Sequence, residues 1–423
     1  MLDIKFIREN KELIALAAAK KHLKFSVDDL LALDDKRRAL LSIVEEKRAE
    51  QNKQSVQMSH AMDGDRRKAL AVELRMRKSG LEEEEQKLKE VMQKWQALML
   101  TVPNIPDISV PDGASDKENK EIRVWGTKPE FSFTPKNHLD LMEETEMADF
   151  VRGGEVAGFR GYFLKNEGVL LSFALWQFVL AHFTKKGFAP LMVPSLVKRN
   201  TLLGTGYLPQ GEEDLYKTQD SDYLAGTAEV ATMAYFADTV IPKEEFPKKM
   251  IAFSPCFRRE AGSYGRDAKG IFRVHEFFKL EQVVLCEASH EVSVRLHEEL
   301  TTNAEELLQA LGLPYRVVIN CGGDLGLGQV KKYDIECFVP SEGKYRETHS
   351  SSYFHDFQTR RLNIRYKDAE GKTRFAHSLN NTALATPRIL ISLIENNQQA
   401  DGSIAIPEVL RALVGTARIL PRK

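Results

Sequence analysis

A chain of 423 residues with 43% hydrophobic content is too long for one ordinary domain and has enough apolar material to bury a core in each of two or three. Its net charge of −1 excludes a globally basic nucleic-acid binder, so contact with nucleic acid has to come from a local patch, and nothing points to DNA. No run of about 18 apolar residues argues for a membrane span, and the opening Met1-Leu2-Asp3-Ile4-Lys5 lacks the leader of a secreted chain. The four cysteines, Cys256, Cys286, Cys321 and Cys337, form no CxxC pair, which fits a reducing cytoplasm better than a disulfide framework or a thiolate zinc site.

In chain order, a short helical opening covers about residues 3–24, and Ser26 then caps a long helical region. Residues 27–100 contain no proline and almost no aromatics. Leu74, Leu81, Leu88 and Trp95 recur every seven residues, and Leu33 and Leu40, with Leu30 and Val44, keep the same register. A seven-residue apolar seam makes two helices supercoil around each other. Asp63-Gly64-Asp65 interrupts the pattern and reads as the reversal of a hairpin. A dimerisation or spacer coil would carry the same heptads, and charge placement separates the readings. From Lys47 to Lys78 nine basic residues (Lys47, Arg48, Lys53, Arg66, Arg67, Lys68, Arg75, Arg77, Lys78) face four acidic ones, whereas the base carries Glu82-Glu83-Glu84-Glu85. A basic outer half suits phosphate contacts, which salt weakens. Val102-Pro103-Asn104-Ile105-Pro106 and Pro111-Asp112-Gly113 mark a linker over 102–114. The expected division is therefore an arm over 1–101, a linker, and a second domain over 115–423.

In that second domain short β-rich runs alternate with helices without βαβ regularity, which favours an α+β fold with an antiparallel sheet flanked by helices. Three segments carry the chemistry. A helix over Leu170–Thr184 leads through Lys186-Gly187-Phe188-Ala189-Pro190 into a strand. Phe253–Gly262 and Ile271–Glu281 read as two strands around a polar loop. Alternation puts Arg258 and Glu260 on one face of the first, and Arg273, His275, Phe277, Lys279 and Glu281 on one face of the second. So many charges on one face of a central strand are costly unless a ligand meets them. Third, Leu379–Leu390 ends in a helix beginning at Arg388, and an arginine in a first helical turn calls for an anion. Gly226-Thr227-Ala228-Glu229 and Tyr345-Arg346-Glu347-Thr348-His349-Ser350 lie between; Thr227 would serve equally as a helix cap and Glu347 as an ordinary strand carboxylate. No phosphate-binding glycine loop is present, so ATP would be held by arginines.

These three segments resemble motifs 1, 2 and 3 of the class II aminoacyl-tRNA synthetases. With the Thr227-Ala228-Glu229 triplet, Phe257-Arg258-Arg259-Glu260-Ala261-Gly262 and the helical arm, the whole chain resembles the bacterial-type seryl-tRNA synthetases. The likeness implies a class II antiparallel sheet, a homodimer, and two reactions in which L-serine and ATP give seryl-adenylate and the seryl group passes to tRNA(Ser). It implies that Arg258, Arg273 and Arg388 are catalytic and that the ATP site includes Arg259, Glu260, Val274, Phe277, Glu347, Thr348, His349 and Ser350. Mg²⁺ would sit at Glu347 and Ser350. Thr227, Ala228, Glu229, Arg258, Glu281 and Thr382 would form the serine pocket, and the nine basic arm residues would bind tRNA, with tRNA(Sec) a second client. The chain departs from the family at Ala231-Thr232, where Pro-Leu is expected, and at Pro387, where many relatives have glycine. A ligase that loads a carrier protein, or a synthetase for another amino acid, would share the motifs without this arm.

Overall fold

The computed structural model describes residues 2–422 except 61–63, 263–266, 268 and 269, and the side chains of 57–70 are also excluded. It divides into two compact units, one made of Leu2–Ala19 and Leu23–Pro103, the other of Lys20–His22 and Asn104–Lys423.

The first unit contains two long helices, Val27–His60 and Gly64–Leu100, of 34 and 37 residues, each about 50 Å long at ~1.5 Å per residue. Ser26 Oγ accepts from Asp29 N at the first helix start. Asp63, expected in the reversal, lies outside the described residues, and Gly64 and Asp65 belong to the second helix. Cross-contacts run Arg37 to Trp95, Lys47 to Gly80 and Gln54 to Glu73, so one number rises as the other falls and the helices are antiparallel. Leu30, Val44, Leu81 and Val91 are buried on the seam. The same heptad positions carry Arg37, Lys47, Gln51 and Gln54, all half-buried. The seam is thus apolar only in part. Asp34 is buried as well, and its carboxylate accepts from Arg8 at 2.6 Å and Arg37 at 2.9 Å. Burial pushes that carboxyl up, but the two guanidiniums outweigh it and hold it below the usual range.

The second unit is built on an eight-stranded sheet. In chain order its strands are β1 (Lys120–Trp125), β2 (Ala189–Met192), β3 (Lys248–Phe257), β4 (Glu276–Cys286), β5 (Tyr315–Ile319), β6 (Lys331–Val339), β7 (Lys344–His355) and β8 (His377–Thr386). Their order across the sheet is β1-β5-β6-β7-β8-β4-β3-β2, and every pair is antiparallel except β2 with β3. β4 is paired on both sides, so its charges lie on a central strand. Along β4, Leu280, Val284 and Cys286 enter the main core with Leu300 and Leu307 of the His290–Ala310 helix, while Val283 and Leu285 on the other face join a second cluster with Ile241 and Ile364. Phe277, Lys279 and Glu281 share that second face.

The two motif strands are shorter at the loop than expected. β3 stops at Phe257 and β4 begins at Glu276, so Arg258, Glu260, Arg273 and His275 lie beyond the ladder. Glu260 takes a left-handed backbone, φ 55°, which strand alternation does not allow. Among the described residues one helix, Asn166–Lys185, is long and apolar enough by length and composition to cross a bilayer. Leu171, Leu175, Val179 and Phe183 on it are buried in the main core of this unit.

Candidate active site

One cavity of about 460 Å³ opens on the β4–β8–β7 face of the second unit. It gathers five cations, Arg258, Arg273, Lys279, Lys332 and Arg388, with four carboxylates, Glu229, Glu260, Glu281 and Glu347. β4 contributes Phe277, Lys279 and Glu281 because every second residue of a strand faces the same way.

β7 does not follow that rule, and the exception makes the site. Its pairing with β6 slips between Ile335↔His349 and Glu336↔Glu347, leaving Thr348 as an extra residue. Such a bulge re-aims side chains. Glu347 and Ser350, three apart, therefore both line the cavity, followed by Ser352 and Phe354. A second slip pairs Leu280 with Leu384 and Glu281 with Thr382, so Ala383 is the extra residue of β8. Thr382 and Ala385 both reach the cavity as a result, and Ala383 is buried in the core.

At one end a carboxylate–arginine cluster forms. Arg388 donates to the Glu347 carbonyl at 3.1 Å and lies 3.6 Å from its carboxylate, and Arg273 donates to Glu260 at 3.1 Å. Phe272 has Arg346 at 3.7 Å and Arg388 at 4.4 Å from its ring centroid, while Arg258 stands 5.3 Å over Phe277. Burial pushes the Glu347 carboxyl up, but Arg388, Lys332, Arg258 and Arg273 outweigh it and keep it ionised below its ordinary value. Burial pulls the Arg388 guanidinium down from its usual value, with Glu347 opposing. Fixed cations around an aromatic plate suit a polyphosphate carrying a flat base.

At the other end Glu229 accepts from Tyr207 Oη at 2.9 Å and Gln358 Nε2 at 2.6 Å. Burial raises its carboxyl above the ordinary range, and Glu281 adds to the rise. Lys279 and Glu281 pair at 2.5 Å, and Thr382 donates to Glu281 at 3.4 Å. Two buried carboxylates with hydroxyl and amide neighbours suit a small zwitterion bearing an ammonium and a hydroxyl.

Val274, Thr348 and Ser350 line the cavity with the arginines, but four expected site residues do not. Thr227 is the N-cap of the Ala228–Ala234 helix, its Oγ1 accepting from Glu229 N at 3.3 Å, and Ala228 is buried behind it. Thr227 thus fixes the start of the helix that carries Glu229. Arg259 is exposed and donates to the Glu213 carbonyl at 3.1 Å. His349 falls on the far side of the bulge, buried against Thr348 Oγ1 and the Ala383 carbonyl, and burial takes its imidazole down to about 4. In the Ala231-Thr232 departure, Thr232 Oγ1 bonds back to the Ala228 carbonyl at 2.8 Å inside the helix. Tyr207, Gln358 and Lys332 were not anticipated from the sequence. Lys332 alternates with Asp334 and Glu336 on β6, and the cost of charges on a central strand could have flagged it. For Tyr207 and Gln358 no comparable signal exists.

The arm candidates separate. Arg48 donates to Glu85 at 2.6 Å, Arg77 to Glu50 at 2.6 Å and Glu73 at 3.0 Å, and Lys47 to the Gly80 carbonyl at 3.1 Å. Lys78 lies 3.9 Å from Glu82, and Lys53 and Arg75 are exposed. The side chains of Arg66, Arg67 and Lys68 lie outside the described residues.

Comparison with known proteins agrees with both units. Residues 1–106 match the model of the seryl-tRNA synthetase N-terminal domain, and residues 214–397 match the class II tRNA synthetase core domain (G, H, P, S and T). A serine–tRNA ligase of Deinococcus radiodurans is 45% identical over 99% of both chains. Among solved structures, the seryl-tRNA synthetase of Pyrococcus horikoshii complexed with ATP superposes with a TM-score of 0.90 at 38% identity, covering 100% of both chains. The cytoplasmic serine–tRNA ligase of Naegleria fowleri in complex with AMP gives 0.86 at 30%, over 100% of this chain and 99% of that one. With near-complete coverage at this identity, and with the arm and the charged cavity both present, the chain belongs to the seryl-tRNA synthetases.

Proposed function

We propose that this serine–tRNA ligase activates L-serine at the β4–β8–β7 cavity and passes the seryl group to tRNA(Ser) held by the helical arm. The observation that carries the reading is the polarity of the cavity, with arginines and an aromatic plate at one end and hydrogen-bonded carboxylates at the other. Arg258 grips the α-phosphate and the serine carboxylate, Arg273 and Arg388 the outer phosphates, and Glu260 and Phe277 hold adenine. Glu229, Glu281 and Thr382 take serine's ammonium and hydroxyl. Serine's own carboxylate attacks phosphorus, so the protein supplies alignment and charge cancellation rather than a nucleophile. A pocket with polar groups dedicated to the hydroxyl rejects alanine by roughly 10⁴-fold.

Glu347 and Ser350 offer a carboxylate and a hydroxyl on one face, a hard-oxygen pair suited to Mg²⁺, which takes few protein ligands when phosphates supply others. Mg²⁺ bound there with ATP would neutralise phosphate charge. A homodimer is supported by an apolar groove beside the Asn166–Lys185 helix, lined by Phe163, Phe173, Trp176, Leu180 and Met192. Met192 and Phe173 there are 83% and 62% exposed, and such a face calls for a partner. We assign the arm (1–101), linker (102–114) and catalytic region (115–423) to tRNA holding, connection and chemistry, with tRNA(Sec) a second client, all in the cytoplasm.

The test is ATP–pyrophosphate exchange with each of the twenty amino acids, without tRNA. Exchange with serine alone is expected. Exchange with a different amino acid would move the specificity, and no exchange at all would overturn the site.

A further inference from the structure

One wall of the cavity, Gly326-Leu327-Gly328-Gln329, is neither helix nor strand. All five carbonyls from Gly326 to Val330 are nevertheless taken. Lys21 Nζ donates to Gly326 at 3.0 Å, Leu327 at 2.9 Å and Gln329 at 2.6 Å. Asn104 takes the rest of the turn, its backbone N donating to Leu327 at 2.9 Å and its Nδ2 to Gly328 at 3.0 Å, while Asp107 N donates to Val330 at 2.9 Å. Lys21 belongs to the same compact unit as this wall. Lys21 is 3% exposed, and among the described residues no carboxylate forms an ion pair with it, its Nζ partners being backbone carbonyls. Burial takes the Lys21 amine down to about 7, and in its protonated form it has three donors, all of which end on backbone oxygen here.

Burying an ammonium without a counter-ion is a poor way to gain stability, because an apolar side chain of similar size would do better. What the ammonium supplies is convergence: three carbonyls of one glycine-containing turn are drawn to a single point. The wall it fixes adjoins the carboxylate end of the cavity. Gln329 Nε2 donates to Ser352 Oγ at 2.8 Å, and Gly328 lies so close to the Phe357 ring that a Cβ there would come within 2.5 Å. The neighbour of that ring, Gln358, holds both Glu229 and the Thr205 carbonyl, at 2.6 and 3.1 Å.

We propose that Lys21 is a positioning residue for the serine end of the active site, setting the 326–329 wall through its three backbone carbonyls. This rests on the functional reading above. Lys21 touches no substrate; it acts through the wall.

The test is steady-state exchange with the full-length protein and Lys21→Met, which keeps the length and removes the donors. The KM for serine is expected to rise roughly tenfold or more, while that for ATP stays within about twofold, because a displaced wall spoils one end of the site. A merely structural lysine would lower the active fraction, hence apparent kcat and Tm, and leave both KM values alone. An unchanged KM for serine, or both rising together, would overturn the proposal. Should Lys21→Met not fold, Asn104→Ala loosens the same turn from its other side and must give the same split. Leu308→Ala, a core change elsewhere in the unit, must not. Wild-type enzyme is run in parallel: absence of serine exchange there removes the functional reading, a result distinct from a wild type that works and a variant without the split.

Discussion

The two units place charge in opposite ways. In the cavity Lys279 and Glu281 pair with side chains 7% and 3% exposed, whereas Arg48 and Glu85 on the arm are 60% and 36% exposed. Buried charges interact strongly and tolerate no missing partner, while exposed pairs are screened and contribute little each. The catalytic unit thus depends on a few charges that cannot be exchanged. The outer arm depends on many that can. Asp34 is the exception on the arm, a buried carboxylate between two guanidiniums.

This contrast is breakable by measurement, and the largest effect falls in the cavity. Arg258→Ala should lower ATP–pyrophosphate exchange by roughly 10²–10³-fold, since it removes a fixed donor from the transition state; near-normal exchange would erase the distinction. Asp34→Ala should cost about 2 kcal/mol of arm stability by removing the acceptor of Arg37 and one of the two carboxylates of Arg8, which keeps Asp35, read by thermal unfolding of the helical signal. Because the Asp34 carboxyl is held below its usual value when folded, its contribution is present above the unfolded pKa, about 3.9, and is lost as pH falls through the lower folded value. Glu229→Gln should cost about tenfold in kcat/KM for serine. Since burial raises the Glu229 carboxyl, the wild-type profile should lose serine affinity on acidification at a higher pH than an ordinary carboxylate would, and the variant should flatten that limb. The smallest effect belongs to Lys53→Ala with Arg75→Ala, which should weaken transfer to tRNA only a few-fold and reduce the salt slope by about one per charge removed. A loss confined to one of the two, independent of salt, would show that the outer arm too relies on single irreplaceable contacts.

The sequence made the hairpin legible through Leu74, Leu81, Leu88 and Trp95, because a seven-residue period has one physical meaning. It could not show that Gln51 and Gln54 continue the seam, since polar residues carry no such signal. Counting basic residues also failed to tell which are free: Arg48 and Arg77 are turned across the hairpin onto carboxylates, and only partner geometry reveals that. In the catalytic unit, alternation identified Phe277, Lys279 and Glu281 as one face. The same alternation misassigned Glu260 to a strand that ends three residues earlier. Glu347 and Ser350 came from family likeness alone, because an odd spacing puts two strand residues on opposite faces unless a bulge intervenes. Tyr207 and Gln358 were out of reach, as an aromatic in a loop and an amide in a short helix are common everywhere.

The extra residues at Thr348 and Ala383 have a consequence for how this site tolerates change. A substitution alters one side chain and leaves its neighbours aimed as before. Removing either extra residue would shift the phase of everything beyond it, sending Glu347 or Ser350, or Thr382 or Ala385, to the opposite face at once. The active site is in this sense written in a reading frame of two, so that single-residue insertions and deletions in β7 and β8 act as frameshifts in three dimensions.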